Sequence, residues 1–285
     1  MLKQRIITAL LLIPFVLGGI LYLSPQHFAW VLVPIFILSA REWGRIIDKN
    51  CAITQWSFTL TVSFLLVTLN IIVPVSSIWH AGALNPIYQS ILGLGAVWWL
   101  GSALLVVGFP KSDKFWKSSP MLKSMFGQLT IIPCFVSILT LKSLSSPAQP
   151  FYGGVMVLLV MLVVWAADTG AYFSGRSLGK HKLMPNVSPG KTIEGLLGGL
   201  LMTMVVVAGV MYISPEQELG IVVVVTLFTA IASALGDLSE SMFKRVAEIK
   251  DSGNILPGHG GILDRIDSLT AAFPVFTLIY IAFWM

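Results

Sequence analysis

Residues 236–268 read GDLSESMFKRVAEIKDSGNILPGHGGILDRIDS, between two runs, 219–236 and 268–285, that hold no charged residue. The segment packs Asp237, Glu240, Glu248, Asp251, Asp264 and Asp267 among Lys244, Arg245, Lys250 and Arg265. A membrane-spanning helix needs about 20 apolar residues, so each flanking run is long enough to cross a bilayer and the charged segment is confined to its edge. The rest of the chain supports that reading. Of its 285 residues 56% are hydrophobic and only 11% charged, whereas soluble domains carry about 25% charged residues. The fold class is therefore an all-α polytopic integral membrane protein.

Working outward, further uncharged runs cover 6–40, 50–110, 124–141, 143–167 and 195–215. The first breaks at Ser24-Pro25-Gln26 and the second between Ser76 and Pro86. The resulting spans are about 6–23, 27–46, 57–75, 88–109, 125–143, 151–168, 193–213, 219–236 and 268–284, nine transmembrane helices in all. In this arrangement all of the 18 Lys and Arg residues except Lys142 fall on one side. Basic loops stay in the cytoplasm, which puts the N-terminus inside and the C-terminus outside. Residues 1–23, with Lys3 and Arg5 ahead of an apolar stretch, also resemble a signal peptide. Without a small-residue cleavage site before Pro25, they read as an uncleaved first span. The net charge of +5 follows from the same bias, so no nucleic-acid partner is inferred. Cys51 and Cys134 form no pair or metal motif and read as apolar filler. Lys111, Lys114, Lys117 and Lys123 read as contacts to lipid headgroups, and Trp30, Trp79, Trp98, Trp99, Trp116 and Trp284 mostly as an interfacial belt.

Loop size divides the chain. Residues 1–150 read as a transmembrane scaffold of about five helices. Residues 151–285 read as the catalytic region, about four helices enclosing two cytoplasmic segments, 168–192 and 237–267.

In the second of these segments, Leu238 to Ile249 can prolong the eighth span as a helix, with Asp237, Ser241 and Lys244 on one face and Glu240 in reach of Lys244. Ser252-Gly253 and the turn Pro257–Gly261 break it. A helix starting near Ile262 then sets Asp264 and Asp267 on one face. Carboxylates from two helices thus meet at the membrane border, where they are costly unless they face a polar cavity or a cation. Oxygen ligands of this kind suit Mg²⁺, and a lone His259 argues against zinc.

The first segment carries Asp168 at the end of a span, then a glycine-rich basic stretch with Arg176, Lys180 and Lys182. Pro189 precedes an expected helix start at Lys191, where backbone N–H groups with Lys191 and Thr192 suit a phosphate. Pro185 and the lack of a preceding strand exclude a P-loop. Gly195 and Gly199 are spaced for helix packing.

The stretch Ser241 to Asp267, SMFKRVAEIKDSGNILPGHGGILDRID, resembles the signature of the phosphatidate cytidylyltransferases, or CDP-diacylglycerol synthases. ADTGAYFSGRSLGKHKL and SPGKTIEGLLGG resemble the family's second block, and the likeness to a bacterial member covers roughly 160–275. Ile193 departs from it, where many members carry Trp. The resemblance implies a bacterial inner-membrane enzyme of phospholipid biosynthesis whose active site faces the cytoplasm. CTP and phosphatidic acid would give CDP-diacylglycerol and pyrophosphate with Mg²⁺; whether a second cation takes part is open. It implies Asp237 and Asp264 as metal ligands, with Asp168 and Asp267 as further ligands or their supports. It also implies Lys191, Lys244, Arg245 and Lys250 as phosphate or headgroup binders, and Ser241, Asp251 and His259 as pocket residues; Arg176 and Thr192 are counted with the substrate-binding set. The lipid phosphate attacks the α-phosphorus, and fixed cations offset charge on the leaving group. Membrane lipids are further partners, and small-residue helix faces allow a homodimer. Alternatives are a related lipid nucleotidyl- or phosphotransferase and an ion-coupled transporter; the transporter would place its acids near span midpoints.

Overall fold

A computed structural model describes residues 13–146, 149–255 and 260–284 of the chain. Lys3, Arg5 and His259 lie outside the described residues. The first helix, α1, is described over Ile13–Tyr22. It is followed by α2 (Pro25–Ile47), α3 (Ala52–Ile72), α4 (Pro86–Gly108), α5 (Pro120–Lys142), α6 (Tyr152–Leu178), α7 (Ile193–Ile213), α8 (Leu219–Val246) and α9 (Leu263–Trp284). Two short antiparallel ribbons join them, β1–β2 (Trp79–His80 with Ala83–Leu84) and β3–β4 (Lys182–Met184 with Ser188–Thr192). Among the described residues, the seven helices α3 to α9 are long and apolar enough to cross a membrane. α2 matches them in length, but Gln26 and His27 at one end and Arg41, Glu42 and Arg45 at the other dilute its apolar middle.

Local chemistry sets the helix starts. α2, α4 and α5 each begin with Pro in the first helical position, where no N–H is needed. Each follows a capping residue, Ser24, Asn85 or Ser119, whose side chain accepts a hydrogen bond from a first-turn N–H. Other ends depart from expectation. α6 runs on past Asp168 to Leu178, since no proline interrupts it and Gly170 and Gly175 fit it against α7. α8 ends at Val246, ahead of the expected Ser252-Gly253 stop. There the N–H groups of Glu248 and Ile249 donate to Arg245 and Lys244 carbonyls at 3.1 and 3.0 Å, and Glu248 takes a left-handed φ of 54°. That is a Schellman closure, formed here without glycine. α7 starts at Ile193 rather than Lys191, because 188–192 pairs as β4 and Thr192 becomes the N-cap.

The loops segregate to two ends. At one, Trp79 Nε1 donates to the Thr140 carbonyl at 3.1 Å and Trp284 Nε1 to Gln217 Oε1 at 2.9 Å. Lys142, the one basic residue expected there, is buried: its ammonium donates to the Ile20 carbonyl and lies 5.6 Å from the centroid of the Phe28 ring. At the charged end, Trp43 Nε1 donates to the Lys123 carbonyl, and the Lys123 ammonium donates to that of Ile47. Lys123 thus ties α5 to α2, a job other than the lipid contact expected of it.

α5 is the central post, touching α2, α3, α4, α6 and α9; a large hydrophobic core runs through both halves of the chain, and a smaller one, Val163, Ala167, Val206 and Ala230, lies among α6, α7 and α8. Beneath the charged end Phe243 of α8 packs on Trp43 and Trp116 at 5.2 and 5.0 Å, and Trp98 stacks on Phe126 at 4.7 Å. Trp98, Trp99 and Trp116 are therefore core residues and not an interfacial belt, while Trp30 is exposed as expected. Their large apolar area anchors the extension of α8 that carries the charged residues.

Candidate active site at the charged end

α6, α7, α8 and the β3–β4 ribbon enclose a cleft of about 500 Å³. Each helix lends it residues three or four apart, hence one face: Asp168, Tyr172 and Arg176 from α6, Gly195 and Gly199 from α7, Ala230, Ala234 and Asp237 from α8. Lys191 and Thr192 of β4 close the mouth. Small residues bring the walls together. A Cβ on Gly170 would stand 2.5 Å from the Gly198 carbonyl, and one on Gly199 2.6 Å from that of Ala167, which bears out the packing role read from the Gly195–Gly199 spacing.

Inside the mouth the Lys191 ammonium sits 2.6 Å from Asp237 Oδ2, and the Ser241 hydroxyl donates to Oδ1 at 3.2 Å. Asp168 interacts electrostatically with Asp237 and Lys191. Arg176 Nη1 donates to the Tyr172 hydroxyl at 2.9 Å. The start of α7 is less open to a phosphate than expected. Thr192 Oγ1 accepts from the Gly195 N–H at 3.1 Å, and the Ile193 N–H donates to the His181 carbonyl at 2.9 Å. Glu194 folds back to accept from the Lys180 and His181 N–H groups. The Lys191 ammonium, paired with Asp237, is the cation at that position.

One turn farther along α8 lies a second cluster. The Lys244 ammonium stands 2.7 Å from Asp264 Oδ1 and 3.1 Å from Glu240 Oε1, the pairing with Glu240 that the i,i+4 spacing predicts. Asp264 Oδ2 also accepts from the Ser252 and Gly261 N–H groups, both at 2.9 Å. Lys191 with Asp237, and Lys244 with Glu240 and Asp264, are thus two ion clusters along α8, with Asp168 in the cleft wall beside the first and the Asp267 backbone packed against Gly236 of α8.

Other expected site residues stand apart. Arg245 is exposed and donates through Nε to the Val187 carbonyl at 3.2 Å, bracing the β3–β4 turn. Lys250 and Asp251 are exposed and do not line the cleft. At the surface nearby, the Lys49 ammonium, 2.9 Å from Glu248, holds that carboxyl below the usual range.

The sequence reading passed over Glu42. It is 2% exposed and accepts from Ser252 Oγ at 3.0 Å and from the Ile262 and Leu263 N–H groups at 3.0 and 2.7 Å. Its one signal was spacing: it follows Ser39 by three and precedes Ile46 by four, on the buried face of α2.

Among the described residues no three His, Cys, Asp or Glu side chains are disposed to hold a metal ion. Mg²⁺, however, is typically held by one or two carboxylates plus substrate phosphates. Asp237 and Asp264 would each offer hard oxygen donors; in the structure each pairs with an ammonium, Asp237 with Lys191 and Asp264 with Lys244, and only Asp237 is among the residues lining the cleft.

The model of the cytidylyltransferase family matches residues 3–283. The phosphatidate cytidylyltransferase of Haemophilus influenzae is 40% identical over 98% of this chain and 99% of its own length. That of Pseudomonas aeruginosa is 41% identical over 100% of this chain and 99% of its own. A Staphylococcus aureus protein of the same name is 48% identical over 126 residues, 44% of this chain.

Proposed function

This chain belongs to the cytidylyltransferase family and is a nucleotidyltransferase, and from that premise we propose that it transfers the cytidylyl group of CTP to phosphatidic acid. An oxygen of the lipid phosphate bonds to the α-phosphorus of CTP, the bond from that phosphorus to the β-phosphate oxygen breaks, and pyrophosphate leaves with the electron pair. A phosphomonoester is largely dianionic at pH 7, so no general base is required.

The observation that carries the reading is the cleft. Its mouth offers Lys191 and Arg176 to phosphates beside Asp168 and Asp237, and its floor between α7 and α8 is apolar and small-residued. Such a site can take a charged headgroup and an acyl chain together. In this proposal Asp237 and Asp264 would hold Mg²⁺, with Asp168 and Asp267 as further ligands or their supports. The bound ion would supply charge stabilisation at the departing pyrophosphate. Lys191 and Lys244, which neutralise those carboxylates in the structure, turn to the substrate phosphates, joined by Arg176. The cleft faces the cytoplasm of a bacterial inner membrane, where soluble CTP meets a lipid phosphate.

The test is purified full-length protein with Mg²⁺, labelled CTP and phosphatidic acid, with products analysed for CDP-lipid and pyrophosphate. Wild type should form both in equal amounts. Asp264→Asn should lower turnover by about 10²-fold or more while remaining folded in membranes. A wild type that consumes no CTP, or an Asp264→Asn enzyme of full activity, would sink the assignment.

A further inference from the structure

We propose that Glu42 is a positioning residue for the reaction, holding Ser252 and the 261–263 segment and through them Asp264; the part concerning turnover rests on the function proposed above. Glu42 lies on α2, in the half of the chain that lines none of the cleft, yet its carboxylate reaches the start of α9 more than 200 residues away. The first N–H groups of a helix have no partner within it, and a carboxylate there is favoured by the helix dipole. Glu42 fills both needs: Oε1 accepts from Ile262 N–H and Oε2 from Leu263 N–H. Oε2 also accepts from the Ser252 hydroxyl.

Those loop residues in turn hold Asp264. The Ser252 N–H donates to its carboxylate, as does the Gly261 N–H, and Asp264 sets the Lys244 ammonium. Ser252 thus gives its hydroxyl to Glu42 and its N–H to Asp264, linking the two carboxylates through one residue. The fit is close on both sides: a Cβ on Gly253 or Gly261 would collide with the Glu42 carboxylate. Arg45, one turn on, donates to the Ser252 carbonyl at 2.8 Å, so the same face of α2 grips this loop twice. Lys49, just past the end of α2, instead pairs at the surface with Glu248.

Glu42→Gln keeps the size but replaces one acceptor oxygen by an NH₂ that opposes the Ile262 or Leu263 N–H, leaving a buried donor unmatched. A displacement of about 1 Å at the reacting groups can cost about 10²-fold in rate. Turnover and backbone amide exchange are to be measured on full-length wild type, Glu42→Gln and Lys49→Ala in detergent micelles. For Glu42→Gln, kcat should fall toward that 10²-fold loss with KM for CTP little changed. Exchange should quicken at Ser252 and Gly261–Asp264 and stay as in wild type along α6 and α7. Lys49→Ala should match wild type in both. Wild-type kcat in Glu42→Gln would overturn the inference. So would exchange quickened through every helix, which marks a residue needed merely to fold. If wild type made no CDP-lipid, the proposed function would fail by itself, and exchange confined to the loop or absent from it would still decide the part played by Glu42.

Discussion

Lys244 holds two carboxylates at once, Glu240 and Asp264, in surroundings where the three side chains are 12%, 4% and 9% exposed. A buried charge stripped of its partner typically costs about 3–5 kcal/mol. Lys244→Met should therefore destabilise the protein by about that much, read from denaturation in detergent, and abolish turnover. Adding Glu240→Gln removes one of the two carboxylates left without the ammonium, the more buried one, so the double variant should regain part of the stability and none of the activity. Equal stability of the two variants would mean that Glu240 is not an orphaned partner. Part of this was legible in the sequence: Glu240 and Lys244 are one helical turn apart, so their pairing needs only a helix. The Lys244–Asp264 and Lys191–Asp237 pairs were not legible, because each joins elements whose contact depends on how helices pack. Glu42 was missed for the same reason. Between Arg41 and Arg45 at a helix end, it reads as one more surface charge.

At the scale of elements, helix contact is governed by residues that lack a side chain. Gly236 precedes Asp237, and a Cβ there would stand 2.5 Å from the Asp267 carbonyl oxygen. Close packing that is overfilled costs about 1–3 kcal/mol. Gly236→Ala should force α8 and α9 apart beside Asp237 and Asp267, with a loss of stability in that range and a larger loss of turnover. An enzyme with wild-type turnover would show that this spacing is not critical. The apolar runs located the long helices well, since about 20 apolar residues have little choice but to span. Their charged extensions were harder to bound. α6 outruns its apolar stretch to Leu178 because glycine contacts with α7 carry it. The β3–β4 ribbon was read as a loop and a helix start; strands of three and five residues are too short to show a period.

For the whole molecule, the partition of basic residues between the two ends supports a cytoplasmic site, and labelling can test it. With Cys51 changed to Ser and Cys134 buried, a cysteine placed at exposed Lys250 gives a single reactive position on the charged loop. A membrane-impermeant thiol reagent should label Lys250→Cys in inside-out vesicles and leave intact spheroplasts unlabelled. Labelling from the outside would reverse the orientation and detach the cleft from cytosolic CTP.

The sequence by itself determined that this chain is a bundle of membrane helices with most of its charges gathered at one end, Asp168, Asp237, Asp264 and Asp267 among them. Hydrocarbon admits few charges, so their positions along the chain mark where the membrane stops. Only the tertiary structure decided which ammonium meets which carboxylate, that α7 is capped by its own Thr192, and that Glu42 closes the start of α9. Those contacts join residues up to 221 positions apart. The Glu42 contacts and the Lys191–Asp237 and Lys244–Asp264 pairs depend on how elements distant in sequence pack, and the Thr192 cap on residues 188–192 pairing as a strand.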